Sequence, residues 1–548
     1  MNKKQFFALT IILGAALLIL VLLLPGCSGS TASSAPASAL TSKTTTAPVA
    51  SKPASVTSSS ATTPVAKIPK KGGTFRYIAT RGPSTSIGWY ADPTFRSGLW
   101  APPLAESLLE CDFSGNVKPK LATDWAVAAD NKSLTLTLRK GVKFHDGTDF
   151  NAAAAKWDLD QLISGKVSGT TDWTSVDLID DYTIRINLKN YLNTMLNTLS
   201  SGTCFMMSPT AFQKNGGAEG IRWNPVATGP FQFASFSRDV NLKSTKFSDY
   251  WQKDKPYIDA MENDFIGDNN TASVAFQAGN AEAWDGASES IEYDLVQKGY
   301  PCVKALNGDV FLMGDSKNTD SAFSNIKVRQ ALDYAIDREA IVKAKGFGFQ
   351  ETTYQLALNG TSSYITNLQN RSYNPDMAKK LLAEAGYPSG FNTTLYLDST
   401  TIDQDEAVAV QSFLSKVGIN TEFQILDNAK FTNLKMNGWK NGIMMSTEGV
   451  DANPNATLSR DFISTSPSWS TLLRTPDFNS LVQASVNSKT YDPELFKKVN
   501  QYMYDTAMMT FLWGSEHVTI LQPYVRDTGF LSLQTWPLWQ PANTWLDK

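Results

Sequence analysis

Strict alternation of apolar and polar residues marks two strands in the first half of the chain. Leu134, Leu136 and Leu138 alternate with threonines, and residues 184–188 repeat the pattern as Ile-Arg-Ile-Asn-Leu. A period of two puts the apolar side chains on one face of a half-buried strand. The first run soon reaches turn-forming residues, beginning with Gly141. Both segments are therefore predicted to be β-strands.

Helical spacing of apolar residues follows later in the chain. Val328 and Ile336 share one face of a helix that we predict to continue to Val342. A second helix has both boundary signals, because Asn374 can cap its first turn and Gly386 can end it. Strands and helices interleave along the whole chain, and no internal repeat is present. This alternation is typical of an α/β fold.

An apolar segment near the start of the chain predicts export from the cytoplasm. Lys3 and Lys4 precede the uncharged run 6–24, which has the order of a signal peptide. The run is also long enough to span a bilayer, so an uncleaved membrane anchor remains an alternative. The next residues, Leu-Pro-Gly-Cys ending at Cys27, resemble the bacterial lipobox, whose cysteine is lipidated and becomes the new N-terminus. We therefore expect residues 1–27 to be a lipoprotein signal peptide.

The segment that follows has the composition of a tether. Residues 28–71 are mainly Ser, Thr, Ala and Pro, with almost no large apolar side chain to offset the entropy of ordering. At roughly 3 Å per residue, such a tether could hold a folded domain tens of ångströms from the membrane. We expect an extracytoplasmic protein that a lipid at Cys27 attaches to the outer face, or periplasmic side, of the cell membrane.

The composition indicates how many compact units to expect and which kinds of ligand and bound group are excluded. The chain has 548 residues, more than one hydrophobic core usually organises, so at least two compact units are expected. A net charge of −3 gives no basic surface for nucleic acid. The chain has only two histidines, far apart, and no Cys-x-x-Cys, so neither a metal site nor a cofactor is predicted. Beyond Cys27, three cysteines allow one disulfide and leave its pairing open; they are Cys111, Cys204 and Cys302.

An ordered series of segments resembles one protein family. Residues 119–125 and 136–147 are similar to the patterns P-x-L-A-x-S-W and F-x-L-R-x-G-V-x-F-H-D-G of the family 5 extracellular solute-binding proteins of bacterial ABC importers. Further matches follow in the family's order; they are 227–231, 249–251, 328–332, 335–338, 378–382, 385–388 and 417–419. Together they cover roughly residues 72 to 450, most of the chain beyond the tether.

The resemblance implies a periplasmic-binding-protein fold with two lobes (type II, cluster C-like) and a hinge between them. One lobe would contain residues 72–305 with 515–548, and the other residues 306–514. The lobes would close on a peptide or another small solute and deliver it to the ABC permease subunits of the membrane. A monomer that binds without breaking any bond in its ligand is expected. The alternatives from other classes are a secreted hydrolase with two catalytic carboxylates and a surface solute sensor.

The resemblance also implies ligand contacts in three places. The first follows the opening strand 74–79, the second is 284–286, and the third is the loop 446–453 with a tryptophan before it. The candidate contacts are Trp89, Tyr90, Trp100, Trp284, Trp439, Ser446, Glu448, Asp451 and Asn453. Ordinary packing is the competing interpretation for each of them.

The third place departs from the family pattern. Peptide-binding members carry an acidic G-D-P-D-like stretch there, including the aspartate that pairs with the α-ammonium of a peptide. This chain reads Ala-Asn-Pro-Asn, with Asn453 where an aspartate is expected. An amide cannot neutralise a buried ammonium. Asp451 or Glu448 could replace the aspartate, and a saccharide or another neutral solute stays open as the ligand.

The two histidines and one short motif have structural or chance interpretations. His145 lies in the family's F-H-D-G turn, so a structural role is expected. His517 lies near the predicted return of the chain to the first lobe; packing is expected and ligand contact stays open. Residues 324–327 match the S-x-x-K of penicillin-interacting enzymes, but the partner motifs of that site are missing.

Overall fold

The computed structural model describes residues 68–548, apart from 93–94, 96–97, 112–115, 400, 450, 452 and 531–538. The predicted signal peptide with Cys27 and most of the predicted tether lie outside the described residues. No helix within the described ranges has the length and apolar character needed to cross a membrane.

Strands and helices alternate through the described chain. The strands are β1 (Thr74–Ala79), β2 (Leu109–Cys111), β3 (Val117–Pro119), β4 (Ala122–Val127), β5 (Ser133–Leu138), β6 (Trp173–Asp180), β7 (Thr183–Leu188), β8 (Phe231–Ser237), β9 (Asn241–Lys246), β10 (Ala260–Phe265), β11 (Ala283–Asp285), β12 (Cys302–Gly314), β13 (Gln350–Thr352), β14 (Phe391–Asp398), β15 (Ile419–Leu426), β16 (Gly442–Glu448), β17 (Thr510–Leu521), β18 (Val525–Arg526) and β19 (Trp545–Leu546). The α-helices are α1 (Ala152–Ser164), α2 (Met195–Ser200), α3 (Pro209–Lys214), α4 (Ala218–Ile221), α5 (Asn269–Gln277), α6 (Glu289–Gln297), α7 (Ile326–Ala335), α8 (Arg338–Lys345), α9 (Pro375–Glu384), α10 (Gln404–Lys416), α11 (Asn428–Asn437), α12 (Asn455–Thr457), α13 (Pro476–Val486) and α14 (Pro493–Asp505).

A large mixed sheet runs through the protein. Its strand order is β15-β14-β16-β12-β17-β11-β1-β10-β9-β8, and β13 pairs with β17 off this path. Strands β14, β15 and β16 are mutually parallel at one end, and β1, β10 and β11 are parallel on the other side of the centre. The long antiparallel strands β12 and β17 join the two groups, with pairs from Cys302–Ile520 to Leu312–Thr510.

A separate antiparallel sheet, in the order β4-β5-β7-β6, contains both strands predicted from alternation. Strands β5 and β7 lie side by side, with Leu134 opposite Ile186 and Leu136 opposite Ile184. All four side chains are buried in one core. The period of two is confirmed because one face of each strand packs inward and the other faces outward.

One helix prediction is confirmed and one is wrong. The side chain of Asn374 accepts a hydrogen bond from the Met377 amide at 3.0 Å, as expected for the cap of α9. The helix predicted to run from Val328 to Val342 is instead two helices, α7 and α8. Between them Ile336 is extended, and Asp337 caps α8 by accepting from the Ala340 amide at 3.0 Å. A capping aspartate starts a new helix more readily than it continues an old one.

Two hydrophobic cores flank the central strand β12. Val310 and Leu312 pack into a core that includes residues of α7 and α10. Phe311 and Met313 pack into another core that includes residues of α13 and α14. A continuous apolar run is therefore required at this strand, because both of its faces are buried.

Cys111, Cys204 and Cys302 are all thiols, so the disulfide that the sequence allowed is absent from the described residues. Cys204 is fully buried, and Cys302 is partly exposed at the start of β12.

Candidate functional site

The carboxyl ends of two groups of parallel strands approach the same stretch of β17. Asp285, the last residue of β11, pairs with Thr519, while Glu448 at the end of β16 pairs with Asp309, which in turn pairs with Gly514. Along an extended strand the distance from residue 514 to residue 519 is about 17 Å. Ligands of open α/β sheets bind beyond the carboxyl ends of their strands. We therefore take the region between the ends of β11 and β16 as the candidate site.

A cluster of asparagines joins two distant parts of the chain beside this region. The side-chain nitrogen of Asn453 lies 3.1 Å from the Asn197 side-chain oxygen. It also lies 3.4 Å from both the main-chain and the side-chain oxygen of Asn193. The Asn453 side-chain oxygen accepts from the Asn455 amide at 3.1 Å. The Asn453 side chain therefore acts as a donor toward Asn193 and Asn197, which an aspartate cannot do.

Asn193 is held in place by further contacts. Its side-chain nitrogen donates to the carbonyl of Ser485 and to the hydroxyl of Ser488, both at 2.9 Å. Its side-chain oxygen accepts from Asn455 Nδ2 at 3.2 Å. Asn193, Asn453 and Asn455 are each at most 3% exposed. The predicted lobe boundaries assign Asn193 and Asn197 to the first lobe and the other residues to the second.

A network of ion pairs occupies the loop after β16. The guanidinium of Arg460 contacts Glu448 at 2.8 Å, Asp451 at 3.0 Å and Asp461 at 2.7 Å. Lys435 lies 3.1 Å from Asp461 and 3.8 Å from Glu448. Burial raises the pKa of Glu448, and the charge of Asp461 acts in the same direction. Burial alone would raise the pKa of Asp461 too, but Lys435 and Arg460 hold it below its usual value.

Asp309 adds a further carboxylate that the sequence did not single out. It is 2% exposed and lies directly opposite Glu448 on the neighbouring strand. Burial raises the pKa of Asp309 well above its usual value, and the nearby Glu448 adds to this effect. The dipeptide Gly308-Asp309 has the composition of a turn, whereas the structure makes it an irregularity within β12. A single charged residue just before an apolar run was the available signal.

The aromatic candidates of the first segment lie together in a core. Tyr90 is fully buried and Trp100 is 7% exposed, while Trp89 is half-buried. The Trp89 ring centroid is 5.2 Å from that of Phe212, and the Tyr90 ring is 5.4 Å from that of Phe205. This geometry favours packing in the described conformation, and ligand contact by these three residues stays a prediction.

Trp284 and Trp439 are also buried. Trp284 is fully buried in β11, with its ring centroid 6.2 Å from that of Phe276. Trp439 is 3% exposed, and its indole nitrogen donates to the Gly442 carbonyl at 3.1 Å. Its ring meets that of Trp469 edge-on at 6.4 Å between centroids. Both tryptophans have packing roles here, and their contact with a ligand remains untested.

The candidates of the third segment do come together. Ser446, Glu448, Asp451 and Asn453 follow one another at the end of β16, and all but Asp451, which is partly buried, are buried. Asp451 is paired with Arg460, and Asn453 donates to Asn193 and Asn197. The Ser446 hydroxyl is 3.4 Å from the Thr447 carbonyl.

The two histidines differ in their surroundings. His145 accepts from the Ala227 amide at 3.3 Å and contacts the Gly229 carbonyl at 2.9 Å, as a structural residue would. Burial lowers the pKa of His145 to about 4. His517 contacts the carboxylate of Asp285 at the end of β11. Burial alone would lower the pKa of His517, but Asp285 raises it.

Comparison with known proteins agrees with this architecture. Residues 116–469 match the family model described as bacterial extracellular solute-binding proteins, family 5 Middle. The glutathione-binding protein GsiB of Salmonella choleraesuis (strain SC-B67) is 32% identical over 332 residues, which are 59% of this chain and 64% of that relative. The match thus spans less than two thirds of the relative's length.

Solved structures share the fold. The ABC transporter-associated periplasmic binding protein DppA from Helicobacter pylori, in complex with the peptide STSA, has a TM-score of 0.71 at 21% identity and covers 87% of this chain and 99% of its own. NikA from Brucella suis, in complex with Fe(III)-EDTA, has a TM-score of 0.74 at 22% identity and covers 84% and 98%. The predicted two-lobed, type II periplasmic-binding-protein fold is confirmed. GsiB and DppA are named as binding proteins, in agreement with the prediction that the chain is not an enzyme.

Proposed function

Because the chain belongs to family 5 of the bacterial extracellular solute-binding proteins, we propose that it captures a peptide or another small solute between two lobes and delivers it to ABC permease subunits. The asparagine cluster is the observation that carries this proposal. Asn193 and Asn197 meet Asn453 and Asn455 across about 260 residues of sequence. Contacts of this kind form when two lobes close and break when they open.

The hinge of this receptor would lie in the central strands. The lobes would contain residues 72–305 with 515–548, and residues 306–514, so that β12 and β17 cross from one to the other. The pairing of β12 with β17 shifts in register twice in this stretch, once between Leu306 and Gly308 and once between Val310 and Phe311. A solute that touches both lobes would stabilise the closed state, because it makes all of its contacts only there.

We place this receptor outside the cytoplasm. The signal peptide 1–27 would direct export, and a lipid on Cys27 would retain the protein at the membrane surface. The Ser/Thr/Ala/Pro segment 28–71 would let a monomer reach a neighbouring permease.

The proposal can be tested with the full chain purified in detergent. Thermal denaturation would be recorded against a panel of tripeptides, glutathione, Fe(III)-EDTA, maltose and amino acids. A solute that binds should raise the melting temperature of the protein and reduce its radius of gyration, measured by small-angle scattering. The solute should be recovered unchanged by mass spectrometry. Chemical conversion of the solute would favour the hydrolase alternative, and a panel without any binder would count against the proposed function.

A further inference from the structure

The strand pair β12–β16 brings two buried carboxylates together at the candidate site. Asp309 and Glu448 lie directly opposite each other, so their side chains project from the same face of the sheet. They are 2% and 4% exposed. Two ionised carboxylates so close and so far from water repel each other unless a positive charge lies between them.

The partners of the two carboxylates are unequal. One oxygen of Glu448 accepts from Arg460 at 2.8 Å. Its other oxygen, Oε2, has no hydrogen bond in the described residues, and the ammonium of Lys435 lies 3.8 Å from it. Asp309 Oδ2 is buried and has no hydrogen-bond partner in that part of the chain either. Neither Arg460 nor Lys435 makes an ion pair with Asp309 within the described ranges.

Two glycines make room for this arrangement. A Cβ at Gly308 would lie 2.2 Å from the Glu448 carbonyl oxygen, so only glycine lets the two strands approach at this point. A Cβ at Gly514 would lie 3.1 Å from Asp309 Oδ1, closer than side chains normally pack. The Asp309 carboxylate therefore occupies space that a side chain at position 514 would take. The location of the Asp309 carboxylate therefore depends on the backbone at both Gly308 and Gly514.

The other charged side chains near Glu448 are already in ion pairs with one another. Asp451 and Asp461 are paired with Arg460, and Lys435 also contacts Asp461. Arg474 donates to the Asp461 main-chain carbonyl at 2.8 Å. The positive charges of this region are thus paired with Glu448, Asp451 and Asp461, and within the described residues none is paired with Asp309.

We propose that Asp309 and Glu448 together bind a positively charged group of the solute, an ammonium or a guanidinium. This rests on the proposed function, because the group would enter when the lobes separate. The two free oxygens would accept its N–H groups, and its charge would neutralise Asp309. Burial raises the pKa of Asp309 well above its usual value, which is the direction that favours the protonated form in the empty site. A bound cation would favour the ionised form of the pair, so we expect its binding to release a proton to solvent.

The test uses solutes that differ in one charge. Trialanine is compared with N-acetyl-trialanine, and L-arginine with L-citrulline, in titration calorimetry of the full chain in detergent. In at least one pair the charged member should bind at least tenfold more tightly. Its binding heat should change between phosphate and Tris buffers, because a proton is released. Equal affinity within both pairs, or binding of neither charged member, would overturn the proposal.

Variants separate this site from the rest of the cleft. Asp309→Asn keeps the shape and removes the charge, so it should reduce the discrimination within the pair at least tenfold while the melting temperature stays the same or rises. Glu448→Gln, which leaves Asp309 intact, should also reduce the discrimination between the charged and the uncharged solute. Glu422→Gln removes an exposed carboxylate from β15 of the same sheet and should change nothing. Discrimination that survives Asp309→Asn would overturn the proposal, whereas a chain that binds no solute of any class would instead contradict the proposed function.

Discussion

The role of the asparagine cluster can be tested by the single change Asn453→Asp. The family pattern suggests that an aspartate here would improve the binding of free-amine peptides. The structure predicts the opposite, because the Asn453 side-chain nitrogen faces three oxygens at 3.1 to 3.4 Å. A carboxylate would put a fourth oxygen among them. Asn193 cannot turn its amide without losing its bonds to Ser485 and Ser488.

The size of the effect follows from these contacts. The bond to Asn197 at 3.1 Å has ordinary length, and the two at 3.4 Å are long and weak. Their loss costs about 1–2 kcal/mol at usual net values. A buried charge left unpaired adds roughly 2–4 kcal/mol. We expect about 3–6 kcal/mol in total, which would weaken closure more than a hundredfold because 1.4 kcal/mol corresponds to a factor of ten.

Scattering and urea denaturation measure this loss. In the presence of a solute that compacts the unchanged protein, the Asn453→Asp chain should keep a larger radius of gyration at pH 7, and its urea midpoint should be lower. The introduced carboxyl would have a raised pKa in the closed state, so lowering the pH through that pKa should restore part of the stability. Asn433→Asp makes the same chemical change at an exposed position of α11 and should leave both values unchanged. An Asn453→Asp chain that closes normally, or that binds trialanine more tightly, would refute the reasoning.

Two further changes test the tryptophan and the anchor. Trp439→Ala should lower the free energy of unfolding by roughly 3–5 kcal/mol, since it removes a buried indole and its bond to Gly442; a normal urea midpoint with weakened solute binding would instead mark Trp439 as a ligand contact. Cys27→Ser should release the protein from washed membranes, because the lipid could not be attached; a variant that stays in the membrane fraction would indicate an uncleaved apolar helix at residues 6–24.

Local patterns predicted those elements whose structure is decided locally. The leucines of β5 alternate because one face of that strand is buried, and this holds whatever the rest of the fold is. Helix α9 carries its own cap at Asn374. The break between α7 and α8 was missed because the apolar spacing continues across it, with both Ile336 and Ile341 buried. The periodicity of apolar residues indicates which side chains are buried, but it does not indicate that Asp337 starts a new helix.

The sequence predicted only those candidate-site residues that lie close together in one stretch of the chain. The resemblance to the family pointed to the loop after β16, and Glu448, Asp451 and Asn453 do lie there together. Their partners come from elsewhere: Asn193 and Asn197 precede them by more than 250 residues, and Asp309 lies on another strand. No local pattern links such positions, because the contacts depend on how the whole sheet is assembled. The tryptophans were chosen for their chemistry, which suits a core as well as a pocket.

The departure from the acidic family pattern and the buried carboxylate pair can be reconciled through charge. Asp451 is paired with Arg460, and Asn453 donates to Asn197, so neither offers an acceptor to a ligand ammonium. Glu448 also contacts Arg460, but its second oxygen has no hydrogen bond within the described residues. The negative charge that such a ligand needs would come instead from Asp309, which lies opposite Glu448 on the central strand β12. A neutral solute could also bond to the oxygens of Asp309 and Glu448 that lack a hydrogen-bond partner among the described residues, but it brings no charge that would favour release of a proton. The number of protons released on binding therefore distinguishes a cationic solute from a saccharide, even for a mixture whose active component has not been identified.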